Sequence, residues 1–493
     1  MMKGCLIWRI LLKGEFKMAY KTIIGLEIHV ELKTKTKMFC GCKNEFGATP
    51  NTNVCEICLG HPGAKSTLNE KCVEFGIMAG LSLNCKINKK MQLDRKRYFY
   101  PDLVKGYQIS QDKYPICYDG FVEINDGKES INVGIERIQI EEDTAKSVHT
   151  DNGLTLVDYN RSGVPLIEIV TKPDIKTPEQ GRLFLNTLKD RLKYIGISDV
   201  KMEEGSLRCD VNINVVDLDS GKKTAITEVK NLNSFKAAEK AMEYESERHI
   251  DMLKSDMFEK KSTRRWNEEE QKTVLMRLKS ENSDYKFSME LDVPYLELSD
   301  DFILSIKSKM DELPSEKSVR FVNDYKIEKY DADILSQNKF LSNYFEKCCK
   351  LFDKPKNISN WILSDLLRRV NEAEIEIEDI PVNEKGFTEL LKLTDEGKIN
   401  NNVAKKVLRE MFEKSLNNPL EIINSMGLMQ ISDDNMLLDI VNEVLSENPN
   451  SIADFKAGKD RALGYLVGQA MKKSKGKGNP QKFNKLISEK LNG

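Results

Sequence analysis

Two close pairs of cysteines, Cys40-x-Cys42 and Cys55-x-x-Cys58, are separated by twelve residues. Thiolates paired in this way can surround a zinc ion tetrahedrally, and a site closed by four sulfurs is structural: it staples a loop and does no chemistry of its own. Gly47, Pro50, Asn51 and Asn53, between the pairs, suit a chain that folds back on itself. The plainer reading is four ordinary buried cysteines; the pairing points to zinc, with an iron–sulfur cluster as a minor alternative. The chain has eleven cysteines, an odd number, and the rest are scattered, as expected of reduced thiols in a cytoplasmic protein.

Three further stretches set ionisable groups into apolar strands. In Thr22–Leu32 the two-residue period puts Glu27, His29 and Glu31 on one face and Ile28, Val30 and Leu32 on the other. That row is either an edge of metal ligands or a solvated strand face. Pro165–Val170 holds one carboxylate, Glu168, among apolar residues. On a buried strand it needs a cation, a base or a metal; on an edge strand it faces water. Ile138–Asp143 ends in Glu141, Glu142 and Asp143, which repel one another unless a divalent cation or solvent relieves them. Mixed oxygen and nitrogen ligands would fit magnesium or manganese.

Gln92–Asp102 mixes Arg95, Lys96 and Arg97 with Tyr98, Phe99 and Tyr100. Cations suit phosphates and aromatic faces suit bases; the plainer reading is a basic surface loop. Ser206–Asn214 carries a polar face, and Glu228–Ser234 leads into a helix start whose free amides could hold an anion. The common phosphate-binding glycine loops, the H-E-x-x-H zinc motif and the G-x-S-x-G elbow are absent from the sequence, so nucleotide chemistry would have to use a less common fold.

Strands must position these groups. Alternation marks Thr22–Leu32, Ser130–Glu142, Leu154–Asp158, Pro165–Thr171 and Leu207–Val216, interrupted by helices at Pro178–Tyr194 and Phe235–Lys254. Thr177 followed by Pro178 is a polar cap with proline in the first turn. The region from Lys21 to about Glu297 reads as one large α+β domain. From about Asp300 the strand signal stops. Amphipathic helices are predicted near 315–322, 333–352, 359–372, 384–393, 402–414, 419–425, 433–445 and 460–471, with Pro355, Gly397, Pro419, Gly427 and Pro449 as breakers. The expected domains are 18–300, including the cysteine loop 40–58, a helical domain 301–412 and a small helical tail 413–493.

Bulk charge is uninformative, because the net formal charge of the 493 residues is only -2. It is nonetheless polarised: from Lys456 to Gly493 ten basic residues stand against two acidic ones. Lys472, Lys473, Lys475 and Lys477 lie there in a lysine- and glycine-rich stretch that suits a phosphate backbone, the plainer reading being a solvated terminus. No stretch is long and apolar enough to span a membrane. Residues 1–17 read as an extension or a misplaced start ahead of Met18, since the apolar run Cys5–Leu12 is short and interrupted by Arg9.

Taken together, seven stretches resemble one family: Ile24-Gly-Leu-Glu-Ile-His-Val-Glu-Leu32, Asp94-Arg-Lys-Arg-Tyr-Phe-Tyr-Pro-Asp102, Tyr107-Gln-Ile-Ser-Gln111, Glu141-Glu-Asp143, Asn160-Arg-Ser-Gly-Val-Pro-Leu-Ile-Glu-Ile-Val170, Val200-Lys-Met-Glu-Glu-Gly-Ser-Leu-Arg-Cys-Asp210 and Lys230-Asn-Leu-Asn-Ser-Phe235. They are similar to the B subunits of the aspartyl/glutamyl-tRNA amidotransferases, the GatB/GatE family, from about Met18 to the C-terminus. The resemblance implies a large mixed α/β cradle domain, then an all-α helical domain, then a small helical tail similar to stand-alone tRNA-associated proteins. It implies a cytoplasmic carbon–nitrogen ligase with glutamine as amido donor. ATP phosphorylates the side-chain carboxylate of Glu-tRNA(Gln) or Asp-tRNA(Asn), and ammonia from a partner A subunit then displaces phosphate, with a C subunit clasping the two. The sequence leaves open which tRNA is used.

By the same resemblance, Glu27, His29, Glu142 and Glu168 hold magnesium, and Lys96 sits near the phosphoryl groups. Arg95, Arg97, Tyr98, Arg161, Arg208 and Asn231 contact ATP or substrate, and Lys472, Lys473, Lys475 and Lys477 meet tRNA. The four-cysteine zinc site belongs to only some members, and all four cysteines are present here. Two other readings compete: a non-catalytic tRNA-binding scaffold, and a metal-dependent phosphohydrolase built on the same acids.

Overall fold

A computed structural model describes residues 20–127, 129–150, 152–278, 285–428, 434–456, 461–474 and 480–492. The extension 1–17, Lys475 and Lys477 lie outside the described residues. The chain divides into two compact units, Met1–Leu313 and Pro314–Gly493.

In the first unit the strands follow one another as β1 (Tyr20–Glu31), β2 (Lys86–Ile87), β3 (Lys90–Met91), β4 (Asp94–Arg97), β5 (Gln108–Ser110), β6 (Cys117–Asn125), β7 (Ser130–Glu142), β8 (Lys146–His149), β9 (Thr155–Asp158), β10 (Pro165–Thr171), β11 (Leu207–Asp217), β12 (Thr227–Lys230), β13 (Ser262–Asn267), β14 (Lys272–Leu278), β15 (Lys286–Met289) and β16 (Leu296–Glu297). The helices are α1 (Glu70–Ser82), α2 (Pro178–Tyr194), α3 (Phe235–Lys254) and α4 (Asp300–Lys309). Nine strands make one sheet in the order β14-β13-β12-β11-β1-β10-β7-β6-β2. Its pairings are antiparallel except that of β12 with β13. A smaller sheet, β15-β4-β5, carries the basic and aromatic motif.

The central strands β11, β1, β10 and β7 divide their side chains between two faces. Cys209, Val211, Ile28, Val30, Ile167, Ile169, Ile138 and Ile140 are buried in the apolar core, where residues of α1, α2 and α3 join them. Each buried isoleucine contributes about 1.5–3 kcal/mol, and a one-residue slip would turn them all to the other side, so the core fixes the register. The same register sends Glu27, His29, Glu141, Glu168, Arg208 and Asp210 to the opposite face. Both long helices start at a capping hydroxyl: Gln180 N donates to Thr177 Oγ1 at 3.2 Å and Ala237 N to Ser234 Oγ at 3.0 Å.

Helix α4 lies beyond the point where the strand signal ends, yet its Ile306 is buried in the first unit's core, with Phe302 and Ile303 packed against it. The division therefore falls at Leu313/Pro314 and not at 300/301. An amphipathic helix reads alike in sequence whichever core it faces.

The second unit is helical: α5 (Pro314–Tyr325), α6 (Lys329–Gln337), α7 (Lys339–Leu351), α8 (Pro355–Trp361), a π-helical turn at Ile362–Leu366, α9 (Leu367–Ala373), α10 (Glu384–Asp395), α11 (Asn401–Glu413), α12 (Pro419–Ser425), α13 (Asp434–Glu447), α14 (Pro449–Lys456), α15 (Arg461–Lys473) and α16 (Pro480–Asn492). The helix predicted over 333–352 is broken at Asn338, whose side chain caps α7 by accepting from Leu341 N at 3.0 Å. One apolar cluster runs from Phe321 to Ile423 and a second from Leu437 to Ile487. Ile422 and Ile423 of α12 belong to the first, so a boundary at 412/413 would cut through that core. Among the described residues, no helix is long and apolar enough to cross a membrane.

Candidate active site

On the polar face of the large sheet, register pairs His29 with Glu168 of β10 and with Arg208 of β11, and Glu27 with Asp210. Strands lie ~4.8 Å apart, so paired side chains on one face meet. Glu27, His29 and Glu168 each offer a ligand atom within 4.8 Å of the others. Glu141 joins them from β7, two residues beyond Gln139, which pairs with Glu168. His29 Nε2 lies 3.2 Å from Glu141 Oε1, and Ser110 Oγ donates to Glu141 Oε2 at 3.0 Å.

These groups set one another's protonation. Burial, then the charge of Glu141, pushes Glu168 up to about 7. Desolvation alone would lower His29, but the Glu141 hydrogen bond and the charges of Glu141, Glu168 and Glu27 raise it to about 9. Glu141, which burial would raise, is held down to about 2 by His29 and Lys96. Two carboxylates and an imidazole are also the oxygen and nitrogen donors that suit magnesium or manganese, and a cation would compete with the shared protons.

Glu142 faces elsewhere. The alternation of β7 sets it opposite to Glu141, where its carboxylate lies 2.6 Å from Lys105 Nζ and accepts from Ile109 N at 2.9 Å. The structure thus brings Glu27, His29 and Glu168 together, leaves Glu142 outside that group, and sets Glu141 beside His29 instead. A usable sequence signal was present: Glu141 is in phase with Gln139, whereas Glu142 is in phase with Ile138 and Ile140.

A cavity of about 390 Å³ opens over this face, lined in part by His29, Lys96, Tyr98, Glu141, Arg208 and Lys230. Burial opposes the charge of Lys96, yet Glu141, Glu168 and Glu27 keep its ammonium above the ordinary lysine value. Its Nζ stands 4.7 Å from the centre of the Tyr285 ring, which meets Tyr98 edge-on at 5.5 Å. Arg95 does not line the cavity: it forks onto Glu290 at 2.8 and 2.7 Å and lies over Tyr107, pinning β4. Arg97 is exposed and also outside the lining. Arg208 meets Asp143 Oδ2 at 2.6 Å. Arg161 shares that oxygen at 3.3 Å and donates to Thr144 O and Ala145 O at 3.0 Å, holding the loop after β7. Asn231, in the left-handed conformation at φ 60, stands on the cavity wall directly after β12. Asp210 and Lys230 are wall residues, and Tyr285, one residue before β15, packs on Lys96; sequence reasoning gave none of the three a role, although Asp210 was legible on the polar face of β11, and Asp143, read only as part of an acidic strand end, lines the wall as well.

The four cysteines Cys40, Cys42, Cys55 and Cys58 place their sulfurs within 4.8 Å of one another, with Cys55 and Cys58 at 3.9 Å. Tetrahedral zinc at ~2.3 Å from each sulfur would separate them by about 3.8 Å, so the set fits. Cys58 is held down to about 5 by the Cys40 hydrogen bond, the Cys55 amide and the charge of Lys37, while Cys40 is pushed far up. The loop grips the segment leading into β10: Met38 N donates to Gly163 O, and Ser162 Oγ to Cys58 O, both at 2.9 Å. In the tail, Lys472 and Lys473 end α15, and Lys473 pairs with Glu443 and Glu447 of α13.

Comparison with known proteins adds an independent line. A family profile described as the GatB/GatE catalytic domain matches residues 22–304, and one described as the GatB domain matches residues 343–491. The chain is 56% identical over 474 residues to the B subunit of the aspartyl/glutamyl-tRNA(Asn/Gln) amidotransferase of Finegoldia magna, a match covering 96% of this chain and 100% of that one. It is 50% identical over 476 residues to a protein of the same name from Clostridium botulinum, with 96% and 100% covered.

Proposed function

The chain belongs to the GatB/GatE family, and from that premise we propose that it uses ATP to activate the side-chain carboxylate of Glu-tRNA(Gln), Asp-tRNA(Asn) or both for amidation. The observation that carries this reading is the convergence of Glu27, His29, Glu168 and Glu141 on one face of the sheet, where His29 and Glu141 line one cavity together with Lys96.

A carboxylate is a poor electrophile because oxide is a poor leaving group. An oxygen of the substrate carboxylate attacks the γ-phosphorus of ATP, the bond to the bridging oxygen breaks, and ADP leaves. Ammonia then adds to the acyl carbon, phosphate departs with the bonding pair, and a proton is lost to give the amide. Lys96, a cation kept charged by three acids, offsets charge on the transferring phosphoryl group and orients it. Glu27, His29 and Glu168 would hold magnesium, which when bound neutralises phosphate charge and aligns the reacting oxygens. Arg208 and Asn231 on the wall orient the substrate, and Arg161 positions Arg208 through Asp143. Zinc on the four cysteines staples the loop that precedes Glu168. The basic tail binds tRNA, and the ammonia comes from an A subunit held with a C subunit.

The test is ADP formation by the chain purified with its partner subunits. ADP should appear only when aminoacylated tRNA is present, and His29→Ala and Glu168→Ala should each abolish it. ADP formation that survives both substitutions would make the chain a scaffold. ATP hydrolysis indifferent to tRNA would make it a phosphohydrolase.

A further inference from the structure

The basic and aromatic motif is only half used by this chemistry. Lys96 and Tyr98 line the cavity, but the chain then leaves its rim through Phe99, Tyr100 and Pro101. Phe99 is 105% exposed and Tyr100 63%. One exposed aromatic ring needs no explanation, but two in succession at the mouth of a site, next to the Tyr98–Tyr285 pair, make a patch. The loop is anchored: Leu103 N donates to Tyr100 O at 3.1 Å, Ala145 N to Asp102 O at 3.0 Å and Thr144 Oγ1 to Asp102 Oδ2 at 3.1 Å. A held loop therefore presents apolar rings to water. Outside the rim, exposed Arg97 and Lys286 face each other in register between β4 and β15.

Reach decides what those rings meet. In a glutamyl ester, roughly five bonds separate the side-chain carboxylate carbon from the ribose oxygen, about 6 Å at full stretch, and the base lies a ribose further out. Phe99 is three residues from Lys96, at most ~11 Å along the chain. A substrate carboxylate held at Lys96 thus delivers its terminal base to the rim. ATP is a single nucleotide, whereas RNA continues as a strand past the lip, and single-stranded RNA is held by aromatic stacking flanked by cations.

We propose that Phe99 and Tyr100 form a stacking lip for the unpaired 3′-terminal bases of the aminoacyl-tRNA, with Arg97 and Lys286 beside its phosphates. The assignment rests on the activation reading above, and it fixes how the substrate enters.

The full chain with its partner subunits is assayed for tRNA-dependent ADP formation. Phe99→Ala should raise KM for aminoacyl-tRNA on the order of 10-fold, with KM for ATP unmoved, and Phe99→Trp should restore it. The indole emission of the Phe99→Trp chain should be quenched by tRNA with an intact 3′ end and not by the same tRNA trimmed of its last three nucleotides. An unchanged KM for tRNA, a rise in KM for ATP alone, or equal quenching by both tRNAs overturns the lip. If the unsubstituted complex forms no ADP, the activation reading falls, and the fluorescence comparison still decides the lip by itself.

Discussion

Glu141 and Glu142 adjoin in sequence and face opposite ways, and paired amide substitutions separate their roles. Glu141→Gln removes the charge that holds His29 and helps keep Lys96 protonated. Groups that orient ligands in this way are worth 10–100-fold, so kcat for tRNA-dependent ADP formation should fall by about that factor, beyond whatever the loss of the buried His29 pair takes from the melting temperature. Glu142→Gln instead strands Lys105, whose side chain is only 12% exposed and whose partner is 6% exposed. Breaking such a buried pair costs on the order of 3 kcal/mol, so its main effect should be a lower melting temperature. The reverse pattern, inactivity without destabilisation for Glu142→Gln and indifference for Glu141→Gln, would give the ligand role to Glu142. At this scale the sequence was informative about residue types and less so about directions. Charge in an apolar strand is costly, which marked Glu168 and the row Glu27, His29 and Glu31 as candidates, but it was the family resemblance that selected Glu27, His29 and Glu168 as ligands. Lys230 could not be picked out, because an exposed cation and a cavity wall are written with the same letters.

Among elements, helices with caps and one apolar stripe were legible to the residue: Pro178–Tyr194 and Phe235–Lys254 run as their patterns imply. Helix α1 was not. It is buried at Cys72, Val73, Phe75, Gly76, Ile77, Ala79 and Gly80, which leaves no clear stripe. Its glycines permit close packing: a Cβ at Gly80 would lie 2.3 Å from Cys117 Sγ, and one at Gly76 2.9 Å from Ile116 Cδ1. Helix α3 is clamped to β13 and β14, at the edge of the large sheet, by a buried charge cluster. Glu245 lies 3.2 Å from His249 Nε2, 2.7 Å from Arg248 Nη2 and 3.4 Å from Arg264 Nε of β13, and it accepts from Thr273 of β14. Burial would raise this carboxyl, but His249 and Arg248 hold it down to about 2, against an ordinary 4.5. A depressed carboxyl stabilises the fold fully above its unfolded value and loses that contribution as pH falls toward the folded one. Stability should therefore decline by ~3 kcal/mol between about pH 4.5 and 2 on this account. Glu245→Gln should flatten that part of the stability–pH curve measured by denaturant unfolding; an unchanged slope would show that the acid sensitivity lies elsewhere. The cysteine loop is the other clamp. Cys58→Ser should lower the zinc content measured after chelation from one per chain toward none, and should speed amide exchange at Gly163, which is paired to Asp143 O, and at Met38. Unaltered exchange with the zinc gone would remove the loop's role in steadying the approach to Glu168.

For the molecule as a whole, the division of labour between cavity and tail can be tested because the second unit holds two apolar clusters. The last cluster comprises Leu437, Val441, Val444, Leu466, Ala470, Phe483 and Ile487, with no member in common with the cluster that ends at Ile423. A chain stopped after Leu428 keeps α12 and its Ile422 and Ile423, whereas one stopped at 412, the domain boundary expected from the sequence, exposes Met411 and Phe412 of α11 by removing α12. The longer truncation should melt near the full chain and the shorter several degrees below it, since removing two buried isoleucines costs roughly 3–6 kcal/mol. The chain ending at 428 loses the region where ten basic residues face two acidic ones. Phosphate contacts dominate sequence-independent RNA affinity and carry its salt dependence. In complex with its partners, this truncation should therefore raise KM for aminoacyl-tRNA by about 10-fold or more and make it less steep in salt, while ADP formation at saturating tRNA keeps its rate. A kcat that collapses at every tRNA concentration would mean that the tail completes the active site, and an unaltered KM would mean that the lysines of the tail face only water.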